Sequence, residues 1–494
     1  LPGAYFLMNF TWRHCLHSPL ATPVILALFA VVHLLVAPLS GLGVDEAHYA
    51  LYGRFPDWSY FDHPPMVGWI HWLFLHGGDS AFWVRLPALV LWLCIFWQLK
   101  YLTQALYHSV ATANLAVLLA ASAPLVQVLG FGLVPDTPLI LCALLLARLV
   151  LAIDQSNGAR LTHWLLLGVL LGLAGLSKYT AVFSALALLW VLSSYRRFAW
   201  LASPGPWLAV VVAAVVVAPV FWWNWTHDWV SFEYQFNHGA KGEWQGAKSL
   251  RYAVILLLSY GPLWVFAALA GARTLPATGA IAASFLRVSA LLLLITALWS
   301  AGNGEDLPHW TAMAWVLLAP FAAARLRSVS AAGAKLLVGL GAVYLVLVNG
   351  VLWLLLIAPP LASEPKLAPA VRDLHGWEPA AQRLLDLRDS RAPGAQLWVR
   401  NWTEGSRMAW YTQMPVRVLS DKTSQFSLWW GEPVAPAILV RAEKRMPRDT
   451  TLKIPEHLDC RLIDTLDFKM QAVTVNVYLY YLCATAPANE ELNP

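Results

Sequence analysis

Val44 to Trp69 reads VDEAHYALYGRFPDWSYFDHPPMVGW, placing Asp45, Glu46, His48, Arg54, Asp57, Asp62 and His63 directly behind the first long apolar stretch of the chain. Charged and imidazole groups this dense beside a bilayer cost free energy unless water, a ligand or a metal pairs them. A solvated loop is the plain alternative for the stretch taken alone. The rest of the chain decides, because its polar clusters return repeatedly to the same side of a series of apolar spans.

The sequence is 59% hydrophobic and only 12% charged, against about 25% charged in a soluble domain, which makes it a membrane protein. Its 27 Trp residues suit extensive interfacial belts. A formal charge of +5, without a basic run or a nucleic-acid module, argues against nucleic acid as a partner. Apolar stretches long enough to span, roughly 17–25 residues each, lie near 20–41, 82–100, 112–131, 138–153, 161–177, 179–194, 207–223, 252–272, 284–301, 310–326 and 334–358. The expected architecture is a polytopic α-helical membrane domain of about eleven spans over residues 1–360, its first external loop at 43–80. Met66 to Leu75 is a short amphipathic piece expected to lie along the interface.

Orientation follows from the distribution of basic residues. With the N-terminus in the cytoplasm, Lys100, Arg160, Arg273, Arg325 and Arg327 gather inside, while Asp45, Glu46, Asp57, Asp62, Asp136, Asp228 and Glu305 gather outside. An odd number of spans exports the C-terminus. After the prolines at 359, 360, 365 and 369 the composition turns polar, and residues 361–494 read as a small α/β domain. Helices are expected at 378–388 and 404–411, with strands at 396–399, 416–419, 437–441 and 473–482. Cys460 precedes a plausible strand and Cys483 ends another, so an oxidising compartment would permit a bridge between them.

Five further polar clusters fall on the outer side: Pro135–Pro138, Ser177–Tyr179, WNWTHDWVSFEYQFNH from Trp223 to His238, Lys248 to Arg251, and Gly302 to Trp310. Singly each has a bland account. Asp136 caps a helix, Lys178 snorkels, and the tryptophans form a belt. Jointly they point to one outward-facing site. Carboxylates near a hydroxyl act as general bases, and cations stabilise a departing phosphate. Group transfer from a lipid phosphate fits these parts, although composition alone does not establish it.

DEAHYALYG followed by YFDHPPMVGW resembles the first external loop of bacterial glycosyltransferases related to protein O-mannosyltransferases and the lipid A aminoarabinose transferases, which have the GT-C fold. The resemblance continues through PDTPL, GLSKYTA, WNWTHDWVSFEYQ, LPHW and, in the C-terminal domain, SQFSLWWG at Ser424 to Gly431. It implies an inverting glycosyltransferase of the bacterial inner membrane. The donor would be a polyprenyl-phosphate (undecaprenyl-phosphate) sugar, and the acceptor a lipid, glycan or protein at the periplasmic face. The first-loop acid pair that carries catalysis in these families falls here on Asp45 and Glu46. Where the aminoarabinose transferases typically carry an acidic-Lys-Pro-Pro sequence, this chain has Asp62-His63-Pro64-Pro65.

On this reading Asp45 deprotonates or orients the acceptor hydroxyl, and Glu46 holds the loop or a cation. Lys178, Arg251 and His309 bind the lipid phosphate, with His63 as a further donor. Asp62, Asp136, His227, Asp228, His238, Glu305 and Asp306 are expected to bind substrate. No cofactor is required; a divalent ion on Asp62, His63, His238, Glu305 and His309 is the alternative, though no spacing resembles a closed zinc motif. The rival class is a multi-pass transporter or flippase with a periplasmic binding domain. It predicts charges buried mid-span and on both faces, whereas here they crowd one face.

Overall fold

A computed structural model describes residues 12–195, 197–238, 243–304, 307–329, 331–357, 368–419, 424–452, 458–470 and 472–485. In chain order the helices are α1 (Trp12–His17), α2 (Ala21–Val36), α3 (Val44–Arg54), α4 (Met66–Leu75), α5 (Ala81–Tyr107), α6 (Val110–Ala121) and α7 (Pro124–Phe131). They continue with α8 (Asp136–Gln155), α9 (Leu161–Ser177), α10 (Val182–Ser194), α11 (Pro204–Thr226), α12 (Val230–His238), α13 (Gly246–Tyr260) and α14 (Pro262–Gly271). The last are α15 (Ala280–Ala301), α16 (Ala312–Arg327), α17 (Ala331–Ile357), α18 (Ala368–Leu374), α19 (Trp377–Arg391), α20 (Trp402–Thr412) and α21 (Gln425–Trp430).

Two compact units interleave along the sequence. The first comprises Leu1–Leu34, Pro56–Ile70 and Arg85–Gly350; the second comprises Leu35–Phe55, His71–Val84 and Val351–Pro494. The expected division at residue 360 leaves the first polar stretch in the membrane domain, whereas the contacts place α3 with the C-terminal residues.

The first unit is helical. All the expected spans fall on helix, but among the described residues only α5, α8, α11 and α15 are long and apolar enough to cross a bilayer alone. Counting each of two bent pairs as one span raises the number to 6. The expected count of about eleven also takes in shorter apolar helices such as the 17-residue α9, which rises about 25 Å against a core about 30 Å thick.

The bends have local causes. α6 and α7 meet at 76°, where Pro124 withholds an N–H and forces Ala123 into extended backbone (ψ 132°). The carbonyls this frees are taken up inside the unit. Gln127 donates to Ala121, and Asn349 Nδ2 donates to Ser122 at 2.9 Å, as a low-dielectric surrounding demands. α13 and α14 meet at 105° across Gly261, whose φ of 95° suits glycine alone, followed by Pro262 at the first helical position.

The second unit is built on a five-stranded mixed sheet of β1 (Gln396–Val399), β2 (Val416–Val418), β3 (Ala437–Glu443), β4 (Leu458–Met470) and β5 (Val473–Thr485), in the order β2-β1-β3-β5-β4. β1 runs parallel to β2 and β3, and β5 is antiparallel to both β3 and β4. Central β3 reads as a continuous apolar run because both its faces are covered. Ile438 and Val440 enter one core, Ala437 and Leu439 the other. Cys460 stands opposite Cys483 on the β4–β5 pair, and the two are joined as a disulfide. The sequence reading places only a short strand near 461–463, and it assigns no helix to α18 or α21.

Candidate active site

Two constellations of polar side chains stand out, one in each unit. In the second, α3 lies within the stretch read from the sequence as the first external loop, 43–80. Its signals are Asp45 and Glu46 in the first turn, favourable at the positive end of the helix dipole, and Ala47, Ala50 and Leu51 on one face. Those three apolar residues, with Leu42, are buried in the same core as Trp377, Leu384, Met408 and Ile438.

The entry to α3 is held at consecutive backbone amides. The Leu42 N–H donates to the Tyr411 hydroxyl (2.8 Å), the Gly43 N–H to Glu46 Oε2 (2.9 Å), and the Val44 N–H to Asp373 Oδ2 (3.3 Å). Asp373 is paired with Arg407 Nη1 at 2.5 Å, and that guanidinium lies 3.7 Å over the Trp377 ring. Burial raises the Asp373 carboxyl above its ordinary range, against the pull of Arg407 and the Val44 amide; nearby Glu46 adds to the rise. Further along α3, His48 Nδ1 meets Ser406 Oγ and its Nε2 meets Tyr52 Oη, both at 3.0 Å. Tyr52 and Phe55 pack on Trp429, so SQFSLWWG and DEAHYALYG, far apart in sequence, meet in one aromatic cluster. Asp45 is half-buried in the first turn, and Glu46 is buried as a helix cap.

In the first unit, Lys178 Nζ lies 2.8 Å from both Asp136 oxygens. The pair is almost fully buried, the side chains 9% and 2% exposed. His309 Nε2 stands 4.0 Å from Asp136 Oδ2, and Lys178 Nζ lies 5.7 Å from the Trp310 ring centre. The turn carrying His309 is hung on α13 by Tyr252, whose hydroxyl donates to the Leu307 carbonyl (3.1 Å), and by Tyr260, which donates to Pro308 (3.0 Å). Burial pushes the His309 imidazole down to about 4; Asp136 opposes the shift, while Lys178 and His63 add to it. At neutral pH His309 therefore offers a hydrogen bond rather than a positive charge.

The Asp62-His63 stretch is tied to the same unit. Gln235 of α12 donates to the Asp62 carbonyl, Phe61 packs on Tyr234 at 4.7 Å, and His63 Nε2 lies 3.9 Å from Asp62 Oδ2. Tyr179 bonds Ser231 at 2.6 Å, linking the Ser-Lys-Tyr turn to α12. Asp57, which the sequence reading lists among the outer acids without a site role, organises the loop: it accepts from Trp223 Nε1 (2.9 Å) through its carboxylate and from Trp69 Nε1 (2.8 Å) through its carbonyl.

Other expected site residues fall elsewhere. His227 stacks on Trp223 at 4.1 Å, and Asp228 sits at φ 53° in the reversal between α11 and α12. Arg251 is exposed on α13. His238 ends α12 with its side chain outside the described set, and Glu305 and Asp306 lie outside the described residues. Among the described residues no group of three or more His, Cys, Asp or Glu side chains is placed to hold a metal ion. Lys178, expected to meet a lipid phosphate, is engaged by Asp136. No sequence signal marks Asp373, Arg407 and Tyr411, because nothing local ties residues 373–411 to residues 42–46.

By fold, the chain is a multi-pass helical membrane protein carrying a C-terminal mixed-sheet domain. It is similar to ArnT from Cupriavidus metallidurans solved with undecaprenyl phosphate bound, at a TM-score of 0.65 and 16% identity over 92% of this chain and 97% of that one. The apo form of that protein superposes at a TM-score of 0.61, again at 16% identity and the same coverage. At such identity the likeness is one of fold. Residues 62–223 match the family model of dolichyl-phosphate-mannose-protein mannosyltransferases. The lipid A galacturonosyltransferase RgtD of Rhizobium johnstonii is 28% identical over 192 residues, which span 37% of this chain and only 39% of that protein.

Proposed function

We propose that this protein is an inverting glycosyltransferase that moves a sugar from undecaprenyl phosphate to an acceptor at the outer face of the inner membrane, and that the acceptor is lipid A. The observation that carries the reading is the family match over residues 62–223. It runs from the Asp62-His63 stretch through Asp136 and Lys178, the residues gathered in the first unit. The RgtD likeness supports lipid A as acceptor, and the ArnT fold supports a polyprenyl-phosphate donor. About eleven membrane passes, a cytoplasmic N-terminus and a periplasmic C-terminal domain complete the proposal.

In the reaction the acceptor oxygen attacks the anomeric carbon, the bond from that carbon to the phosphate oxygen breaks, and the acceptor proton passes to Asp45. The half-buried position of Asp45 in the first turn of α3 suits a base that must meet substrate. The leaving phosphate needs charge stabilisation more than protonation. Arg251, exposed, and Lys178, shared with Asp136, are the cations proposed for it, with His63 and neutral His309 as hydrogen-bond donors. Glu46 is assigned to holding the helix rather than to a cation. Asp62, Asp136, His227, Asp228, His238, Glu305 and Asp306 remain candidates for the sugar and acceptor; no metal is invoked.

The test is incubation of the full-length protein in nanodiscs with undecaprenyl-phosphate-linked galacturonic acid, aminoarabinose or mannose, plus lipid A. Release of undecaprenyl phosphate together with a matching mass gain on lipid A supports the proposal. Unchanged lipid A with all three donors would remove lipid A as acceptor.

A further inference from the structure

A general base must be held within a fraction of an ångström of its productive position, because small displacements cost rate steeply. Asp45 lies on an eleven-residue helix, too short to be stable alone. Its placement must therefore come from tertiary contacts, and in the second unit the side-chain hydrogen bonds that hold its entry from outside the helix come from α18 and α20.

We infer that Asp373 and Tyr411 are positioning residues for Asp45, so that the C-terminal sheet domain builds the catalytic helix as well as sharing its core. The inference rests on the proposed role of Asp45. Tyr411 and Asp373 accept the backbone N–H groups of Leu42 and Val44, on either side of the Gly43 amide that Glu46 caps. Together they fix the three residues that lead into Asp45. Asp373 is itself fixed: Arg407 donates to both its carboxylate (2.5 Å) and its carbonyl (3.2 Å). Arg407 also bonds the Thr403 carbonyl at 3.0 Å and stacks on Trp377. The approach leaves no room for a side chain at position 41 and little at position 43. A Cβ on Gly41 would fall on the Leu374 carbonyl oxygen and within 2.9 Å of the Tyr411 hydroxyl. One on Gly43 would lie 3.0 Å from Asp373 Oδ2. The glycines at 41 and 43 thus allow the strap to lie flat against residues 373, 374 and 411.

The experiment uses the full-length protein in nanodiscs with the donor and lipid A that support turnover, comparing Tyr411→Phe and Asp373→Asn in wild-type and Asp45→Asn backgrounds. Each single variant should lower kcat by about 10- to 100-fold while the donor KM stays within about twofold of wild type. Amide hydrogen exchange in the peptide spanning 42–54 should rise. In the Asp45→Asn background neither variant should lower the residual rate by more than about twofold, since the group being positioned is gone. Tyr411→Phe removes one oxygen and keeps the question answerable if Asp373→Asn fails to fold. Wild-type kcat in Tyr411→Phe, or losses that multiply fully onto that of Asp45→Asn, overturns the inference while leaving the role of Asp45 intact. Near-wild-type turnover in Asp45→Asn itself removes the role of Asp45, and the inference with it.

Discussion

Lys178 and Asp136 give the sharpest energetic prediction. At 2.8 Å the pair gains about 6 kcal/mol of gross attraction at an effective dielectric of about 20. Against this stands a desolvation cost of several kcal/mol per ion, so the intact pair is worth little net. Removing one partner is different. Lys178→Met strands the Asp136 carboxylate at 2% exposure, which should cost roughly 3–5 kcal/mol. Lys178→Met/Asp136→Leu, which removes both charges, should regain most of that loss. The assay is thermal unfolding of the detergent-purified protein, followed by the exposure of the buried thiol of Cys142 to a fluorescent maleimide. If Lys178→Met melts like wild type, or the double variant melts lower than the single, the pair is not the structural unit the geometry describes. Lys178 would then be free to act chiefly on a ligand.

Other consequences are more local. Gly53→Ala would set a Cβ 2.6 Å from His71 Cβ and 2.8 Å from the His71 carbonyl carbon, so it should destabilise the second unit by about 1–3 kcal/mol, read as a lowered melting temperature. Maleimide labelling of denatured, unreduced protein should modify Cys15, Cys94 and Cys142 alone, with Cys460 and Cys483 joining only after reduction. Loss of that bridge, which spans 23 residues of sequence, should cost about 3 kcal/mol. His309 is depressed from 6.5 to about 4, so its contribution to stability is complete above pH 6.5 and is lost as the pH falls towards 4. His309→Gln should flatten the melting temperature across that window, and an unchanged slope would contradict the assignment.

Much of the architecture was legible because long apolar runs and the composition change near residue 360 are local signals. β1 matches its expected bounds, and β5 begins where the alternating Val473–Leu482 run begins. The local signals of α3 are short and weak because it is buried nearly all round, from Glu46 to Gly53, which blurs the one-sided pattern that marks a surface helix. The partners of its entry lie more than 300 residues away: Asp373 from Val44, Tyr411 from Leu42. No periodicity reports contacts of that range. The Asp136–Lys178 pairing was hidden for a similar reason. A Pro-Asp-Thr-Pro helix start and a helix-end lysine each have a sufficient local explanation, and only the packing of α8 beside α9 joins them.

The central claim is that Asp45 is the base of a polyprenyl-phosphate glycosyltransferase, and the direct measurement is single-turnover transfer by wild type and Asp45→Asn under saturating donor. Wild type should release undecaprenyl phosphate in step with acceptor glycosylation. Asp45→Asn should bind the donor with unchanged affinity and transfer roughly 10²–10⁴-fold more slowly. Transfer by Asp45→Asn within a few-fold of wild type would contradict the account.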